Sequence, residues 1–331
     1  MRWVVLGIVL LPLASDAKPV DPQPARDPSF SRFWSEVVEP NGKQVQAILD
    51  KVEKLLQQPD AALQSDTDWA VDQRQRYYHD ALALLQEASR LSPHNTEVLA
   101  QIGRVADELG KTREAITALE ASVRITGPED ASARVTGRLG AIHLRLGKLD
   151  AAIRWLRLAQ GPLGPITAPS LVHLANALAL RGEMITAIET LSNALPAHSL
   201  GYYQDDVTLA SFALAVLYDR DEQRGAAFEV LERMQSTLQH QFGSQLQIQL
   251  AKLRFAPAED QHYFQALLYE SLGHYIEARA EWALYAASGE SPWRARALDH
   301  IAAIDAQRKT LRGARPEATV PQNPIFRVPH P

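Results

Sequence analysis

The stretch from Thr96 to Gly127, TEVLAQIGRVADELGKTREAITALEASVRITG, constrains the fold more than any other part of the chain. Apolar and small residues recur at helical spacing on both sides of a break at Gly110-Lys111, which predicts two helices folded back on each other. The first carries Leu99, Ile102, Gly103 and Ala106, and the second carries Ala115, Leu119 and Ser122. Gly103 and Ala115 have almost no side chain, so the two backbones approach closely there while the larger residues fill the space on either side.

The pattern repeats. Thr136, Leu139, Gly140 and His143 precede a turn at Gly147-Lys148, followed by Ala152, Leu156 and Ala159. Leu171, Leu174, Ala175 and Leu178 precede Gly182-Glu183, followed by Ala187, Leu191 and Ala194. A weaker copy has Leu214, Ala215 and Tyr218, then Ala227 and Leu231, with Glu222 in place of the turn glycine and a second helix expected to run on to Gln241. The last has Ala266 and Tyr269 before Gly273-His274, then Ala278, Trp282 and Tyr285. Upstream, Ala81, Leu85 and Ala88 before Pro93 read as the second half of a degenerate copy, and Gly42 to Gln57 as an amphipathic helix. Ser291-Pro292 starts a helix expected from Trp293 to about Lys309, a cover for the face that a final repeat leaves wet.

Large, leucine, glycine, large on one helix and alanine with a bulky residue on the next resembles the tetratricopeptide repeat, over roughly residues 69–309. The resemblance implies an all-α superhelix, or solenoid, of about five to six helix pairs with a C-terminal capping helix, and a concave groove, lined by the first helix of each pair, that takes the ligand. The segment Gly273 to Ile301, with Glu281-Trp282 and Ser291-Pro292-Trp293, is also similar to exported repeat proteins of myxobacteria and their relatives.

Alanine, leucine, glutamine, arginine and glutamate dominate and β-branched runs are scarce, so no strand is expected. The 46% apolar content suffices for a large core. Residues 1–17 read as a signal peptide: Arg2, an apolar run from Trp3 to Leu13, and Ser15-Asp16-Ala17 ahead of cleavage. That run is too short to anchor in a bilayer, which takes about 20 apolar residues. With no cysteine in the chain, neither disulfides nor a lipidated cysteine is available, and an exported chain of this kind fits the periplasm. Residues 18–40, with Pro19, Pro22, Pro24, Pro28 and Pro40, form an expected linker. Its Phe30, Phe33 and Trp34 suit a short helix lying on the first repeat better than a docking motif. Residues 41–311 are the expected repeat domain, and 312–331, again proline-rich, a disordered tail.

No phosphate-binding loop, nucleophile elbow or His-Glu-x-x-His helix occurs, and no two histidines stand four residues apart. His143 and His173 are expected to pack, and Asp205-Asp206 to start a helix. No catalytic residue, cofactor or metal is expected. The net charge of −5 disfavours nucleic acid as a partner. There remains the groove, whose candidate partner-binding residues are Arg104, Asp107, Glu108, Arg134, Arg138, Arg145 and Asn176. Asn176 matches the asparagine of carboxylate-clamp members, but Val172 stands where those carry lysine. The expected function is a periplasmic or cell-envelope scaffold that binds other envelope proteins or peptides. The alternative is a regulatory or ligand-binding subunit of an envelope peptidoglycan or polysaccharide system, for which Tyr202, Tyr203 and Phe212 are the clustered aromatics.

Overall fold

The computed structural model describes residues 40–62, 68–161, 167–195, 205–289 and 291–313. The expected signal peptide, Phe30, Phe33, Trp34, Tyr202, Tyr203 and the residues after Gly313 lie outside them. Among the described residues the regular structure is helical throughout, without a strand. Two helices, α1 (Gly42–Ala62) and α2 (Asp68–Leu91), form a first pair, followed by α3 (Thr96–Glu108) with α4 (Thr112–Thr126) and α5 (Ala133–Arg145) with α6 (Leu149–Leu158). Next come α7 (Thr167–Leu180) with α8 (Met184–Ala194), then α9 (Asp205–Arg220) with α10 (Arg224–Leu238). A single helix, α11 (Phe242–Lys252), precedes the last pair, α12 (Asp260–Ser271) and α13 (Tyr275–Ala287), and α14 (Arg294–Gly313) closes the stack.

Five of the tight turns share one geometry, and the sequence explains it. The backbone N–H groups of Lys111, Lys148, Glu183, Gln223 and His274 each donate to the carbonyl five residues back, on Ala106, His143, Leu178, Tyr218 and Tyr269, at 2.8–2.9 Å. That closure needs a left-handed residue just before the donor. Gly110, Gly147, Gly182 and Gly273 supply it at φ of 69–89°, and Glu222 adopts φ 59° in the same place without the freedom of glycine.

Close approach at the seams is equally legible. A Cβ added to Gly103 would lie 2.4 Å from Leu119 Cγ, and one on Gly140 would lie 2.4 Å from Leu156 Cγ. Ala115, Ala152, Ala187 and Ala278 are fully buried opposite. The apolar interior divides along the stack, one cluster joining the first two pairs, a small one joining the second to the third, and a long one running from Leu144 to Ile304. Stability in such a stack is a sum of neighbour contacts.

The sequence reading is corrected after α10. The second helix of the fifth pair stops at Leu238, where Gln239 takes φ 49°, and a short 3₁₀ turn leads into α11 instead of a continuous helix to Gln241. Phe242, Leu246 and Leu250 of α11 are buried, and the helix packs on α9. The chain from Leu253 to Glu259 then touches first helices of separate pairs: Arg254 reaches Asp107 and Glu108 on α3, and Ala256 accepts from Asn176 on α7. A segment bonded to α3 and α7, and continuous with a helix packed on α9, lies across the face those first helices share. The chain itself therefore occupies that inner face where it meets α3, α7 and α9.

Candidate functional site

Three polar clusters occupy that inner face. In the first, the Asp107 side chain, only 3% exposed, sits at the end of α3 among three arginines. Arg138 Nη1 of α5 donates to Asp107 Oδ2 at 2.9 Å and to Glu108 Oε1 at 3.0 Å. Arg145 Nη2 donates to Asp107 Oδ1, while Arg254 donates to Glu108 Oε2 and, at 3.4 Å, to the Asp107 carbonyl. Burial lowers the Arg145 pKa against the attraction of Asp107, with Arg254 and Arg138 adding repulsion. The cluster ties the second and third pairs to a segment about 146 residues further on.

The second cluster is built on Asn176. Its Nδ2 donates to the Ala256 carbonyl at 2.6 Å and to Asp260 Oδ2 at 2.9 Å, and its Oδ1 accepts from Arg220 Nη1 at 2.8 Å. Arg220 Nη2 bonds Asp260 Oδ1 at 2.7 Å, with both side chains 1% exposed. The Arg220 guanidinium also lies 3.8 Å from the Trp293 ring centre and 4.7 Å from that of Tyr263, so aromatic faces replace water around the cation. Burial holds the Asp260 carboxyl above its ordinary value despite Arg220 and Asn176, which pull the other way.

In the third, Asp219 Oδ2 accepts from Tyr263 Oη at 2.7 Å, and Arg296 of α14 donates to Oδ1. His300 Nε2 stands 3.0 Å from Asp219 Oδ2, its Nδ1 stands 2.8 Å from Glu270 Oε2, and its ring stacks on Trp282 at 4.3 Å. Burial pushes Asp219 up, but the hydrogen bonds from His300 and Arg296 outweigh it and hold the carboxyl well below the usual range. Burial likewise lowers His300, and the two carboxylates more than reverse it. Burial, with Asp219, raises Tyr263. The closing helix thus does more than cover the last pair: it also bonds back to α9.

These placements revise the expected open face. Asn176 is buried with its amide fully engaged by the chain, by Ala256, Asp260 and Arg220. Asp107, Glu108, Arg138 and Arg145 are spent on one another and on Arg254. Arg134 is exposed and Arg104 half-buried, and neither makes an ion pair among the described residues. Phe212 is buried edge-on to Phe264 at 6.0 Å rather than presented as a platform. His143 and His173 are both buried. Burial, then Arg145, lowers His173 to about 4, so it packs as a neutral ring. Asp205 and Asp206 occupy the first turn of α9. Among the described residues no three His, Cys, Asp or Glu side chains converge as metal ligands, and no helix is long and apolar enough to cross a membrane.

The sequence reading missed Asp219, Arg220, Arg254, Asp260, Arg296 and His300. A signal for one of them was present: superimposing the copies on Ala106, Tyr218 and Tyr269 puts Asp219 at one position with Asp107 and Glu270, just ahead of the turn. Three carboxylates at one register of first helices mark where the inner face takes cations.

Among solved structures, the chain is similar to the crystal structure of MamA protein, at 18% identity over 60% of this chain and 94% of that one, with a TM-score of 0.44. The C-terminal part of a TPR repeat-containing protein from Cytophaga hutchinsonii matches at 15% identity, 81% and 98% coverage and a TM-score of 0.40. The P58(IPK) TPR domain matches at 15%, 85% and 71%, with a TM-score of 0.30. No curated protein matches. Residues 74–130, from within α2 to the loop after α4, match the family model of the tetratricopeptide repeat, so the stretch Thr96–Gly127 falls wholly inside the match.

Proposed function

We propose that the protein is a non-catalytic scaffold of the bacterial cell envelope, exported to the periplasm, whose helix pairs hold one or more envelope proteins. The observation that carries this reading is the stack itself, in which successive pairs present separate outward surfaces on a frame held by local contacts. Because the chain's own segment engages Asp107 and Glu108 on α3 and Asn176 on α7, recognition falls on surfaces left open, including the Arg104 and Arg134 side. The signal-peptide pattern at residues 1–17 and the likeness of Gly273 to Ile301 to exported myxobacterial repeat proteins support the compartment. The subunit reading for a glycan system loses Phe212 as a platform, and no other observation favours it.

Crosslinking in the native host, followed by purification of the tagged protein, tests the proposal. Envelope proteins should be recovered, the protein should fractionate with the periplasm, and its N-terminus should begin near Lys18. A retained Met1 in a cytoplasmic fraction would overturn the compartment, and recovery of glycan without protein would overturn the scaffold.

A further inference from the structure

The third pair is out of balance with the rest of the chain. Residues 133–159 carry six basic side chains, Arg134, Arg138, Arg145, Lys148, Arg154 and Arg157, against one acid, Asp150, in a chain whose net charge is −5. Arg138 and Arg145 are neutralised on the inner face by Asp107 and Glu108. Lys148, Arg154 and Arg157 are not: all three are exposed, and none has a carboxylate partner among the described residues. The one acid is already engaged, since Asp150 pairs with Arg181 at 3.0 Å, and Arg181 also bonds Glu183 at 2.6 Å.

These cations share a place. Lys148, Arg154, Arg157 and Arg181 line a cleft of about 690 Å³ beside α6, with Leu149, the buried Ile153 and the Asp150 carboxylate that Arg181 engages among its walls. The equivalent helix of the second pair, α4, balances two basic residues, Arg113 and Arg124, against two acids, Glu114 and Glu120, as a merely solvated face does. On α6, Arg154 and Arg157 stand three residues apart with no intervening acid, an arrangement that like-charge repulsion disfavours on an isolated helix. The positive field reaches inward as well. Burial lowers the pKa of His143, and Lys148 and Arg154 lower it further against Glu120.

We infer that this cleft is a docking site for an acidic segment of a partner protein, an extended stretch with aspartate or glutamate side chains for the three unpaired cations and an apolar residue against Leu149 and Ile153. The inference rests on the scaffold reading and names its partner's chemistry. Unpaired cations around an apolar wall confer selectivity for carboxylates and speed encounter, and the interaction weakens as salt screens it.

The test is fluorescence anisotropy of the full chain with a labelled short peptide of alternating glutamate and glycine around a central leucine. The same peptide with lysine for glutamate, and a single-stranded oligonucleotide of equal length, serve as competitors. The parent should bind the acidic peptide, with affinity falling as salt rises. Lys148→Glu/Arg154→Glu/Arg157→Glu should weaken binding about tenfold or more, corresponding to 1.4 kcal/mol. The milder Arg154→Gln/Arg157→Gln should weaken it by less, with circular dichroism unchanged in both. Equal binding by parent and triple variant, no binding by the parent, or preference for the oligonucleotide would each overturn the site. In the native-host crosslinking, undiminished recovery of the same proteins by the triple variant would overturn the site and leave the scaffold standing, whereas recovery of none by the parent would overturn both.

Discussion

Replacing Arg220 by methionine isolates the interaction that closes the inner face. Met keeps most of the side-chain volume and the contact with Trp293 but removes the charge that faces Asp260. The carboxylate is then left 1% exposed with only the Asn176 amide donating to it. Breaking a buried pair from one side costs about 3–5 kcal/mol, because the surviving charge has lost its partner and cannot reach water. Arg220→Met/Asp260→Leu removes both charges, leaving without partners Asn176 Oδ1, already orphaned in the single variant, and the Nδ2 hydrogen that had bonded Asp260. The second substitution thus exchanges a buried unpaired carboxylate for one unsatisfied neutral donor, which costs about 1–3 kcal/mol, so the double variant should be more stable than the single one. Adding Asn176→Leu should recover most of the remainder, less what the Ala256 carbonyl loses.

The effect should also depend on pH with a definite sign. Without Arg220, burial holds Asp260 further above its unfolded value, so the folded state favours the protonated acid. That contribution is present at low pH and is lost as pH rises through the folded pKa. The gap between parent and Arg220→Met should therefore widen as pH rises above the ordinary carboxylate range. Stacked repeats need not unfold in one step, so hydrogen exchange of α9 and α12 is the readout, with urea unfolding alongside. A cost below about 1 kcal/mol, or a double variant as unstable as the sum of its singles, would refute the claim that Arg220 and Asp260 act as one buried unit.

Other perturbations test the remaining elements. Gly140→Leu drives a side chain into Leu156 and should cost about 1–3 kcal/mol, reported by faster exchange in α5 and α6 before any change in α12. Glu222→Gly relieves a left-handed residue and should raise stability by about 1 kcal/mol in urea unfolding. His300, raised by Asp219 and Glu270, contributes stability that is present below about pH 6.5 and lost as pH rises through its folded pKa. The melting difference between the parent and His300→Gln should accordingly shrink as pH rises above about 6.5. Subtracting the variant cancels His173, whose lowered pKa of about 4 acts in the opposite direction.

Most of the fold was legible because its determinants are local. A glycine that must be left-handed, an alanine that must be small and a leucine three or four residues away are all separated by less than one repeat, so spacing alone registers them. That reasoning located the pairs, the turns and the closing helix, and Glu222 showed that the turn geometry persists where the glycine does not. It failed at α11, where the amphipathic rhythm continues across Gln239–Gln241 and nothing short-range distinguishes a longer helix from two that fold apart.

The inner face was hardest to read because its occupants are remote in sequence. Arg254 meets Glu108 across 146 residues, and Asn176 meets Asp260 across 84, and no periodicity relates such partners. The residues that sequence logic assigns to a ligand, the polar ones off the packing seam, are also those the chain needs to bind its own crossing segment. Polarity at a first-helix position therefore says that something charged is held there, not whether that charge belongs to another molecule. What separates the two cases is pairing. Asp107 and Asn176 are satisfied from within, whereas Lys148, Arg154 and Arg157 carry their charge to solvent without a partner among the described residues, and it is there that the stack retains a capacity to bind.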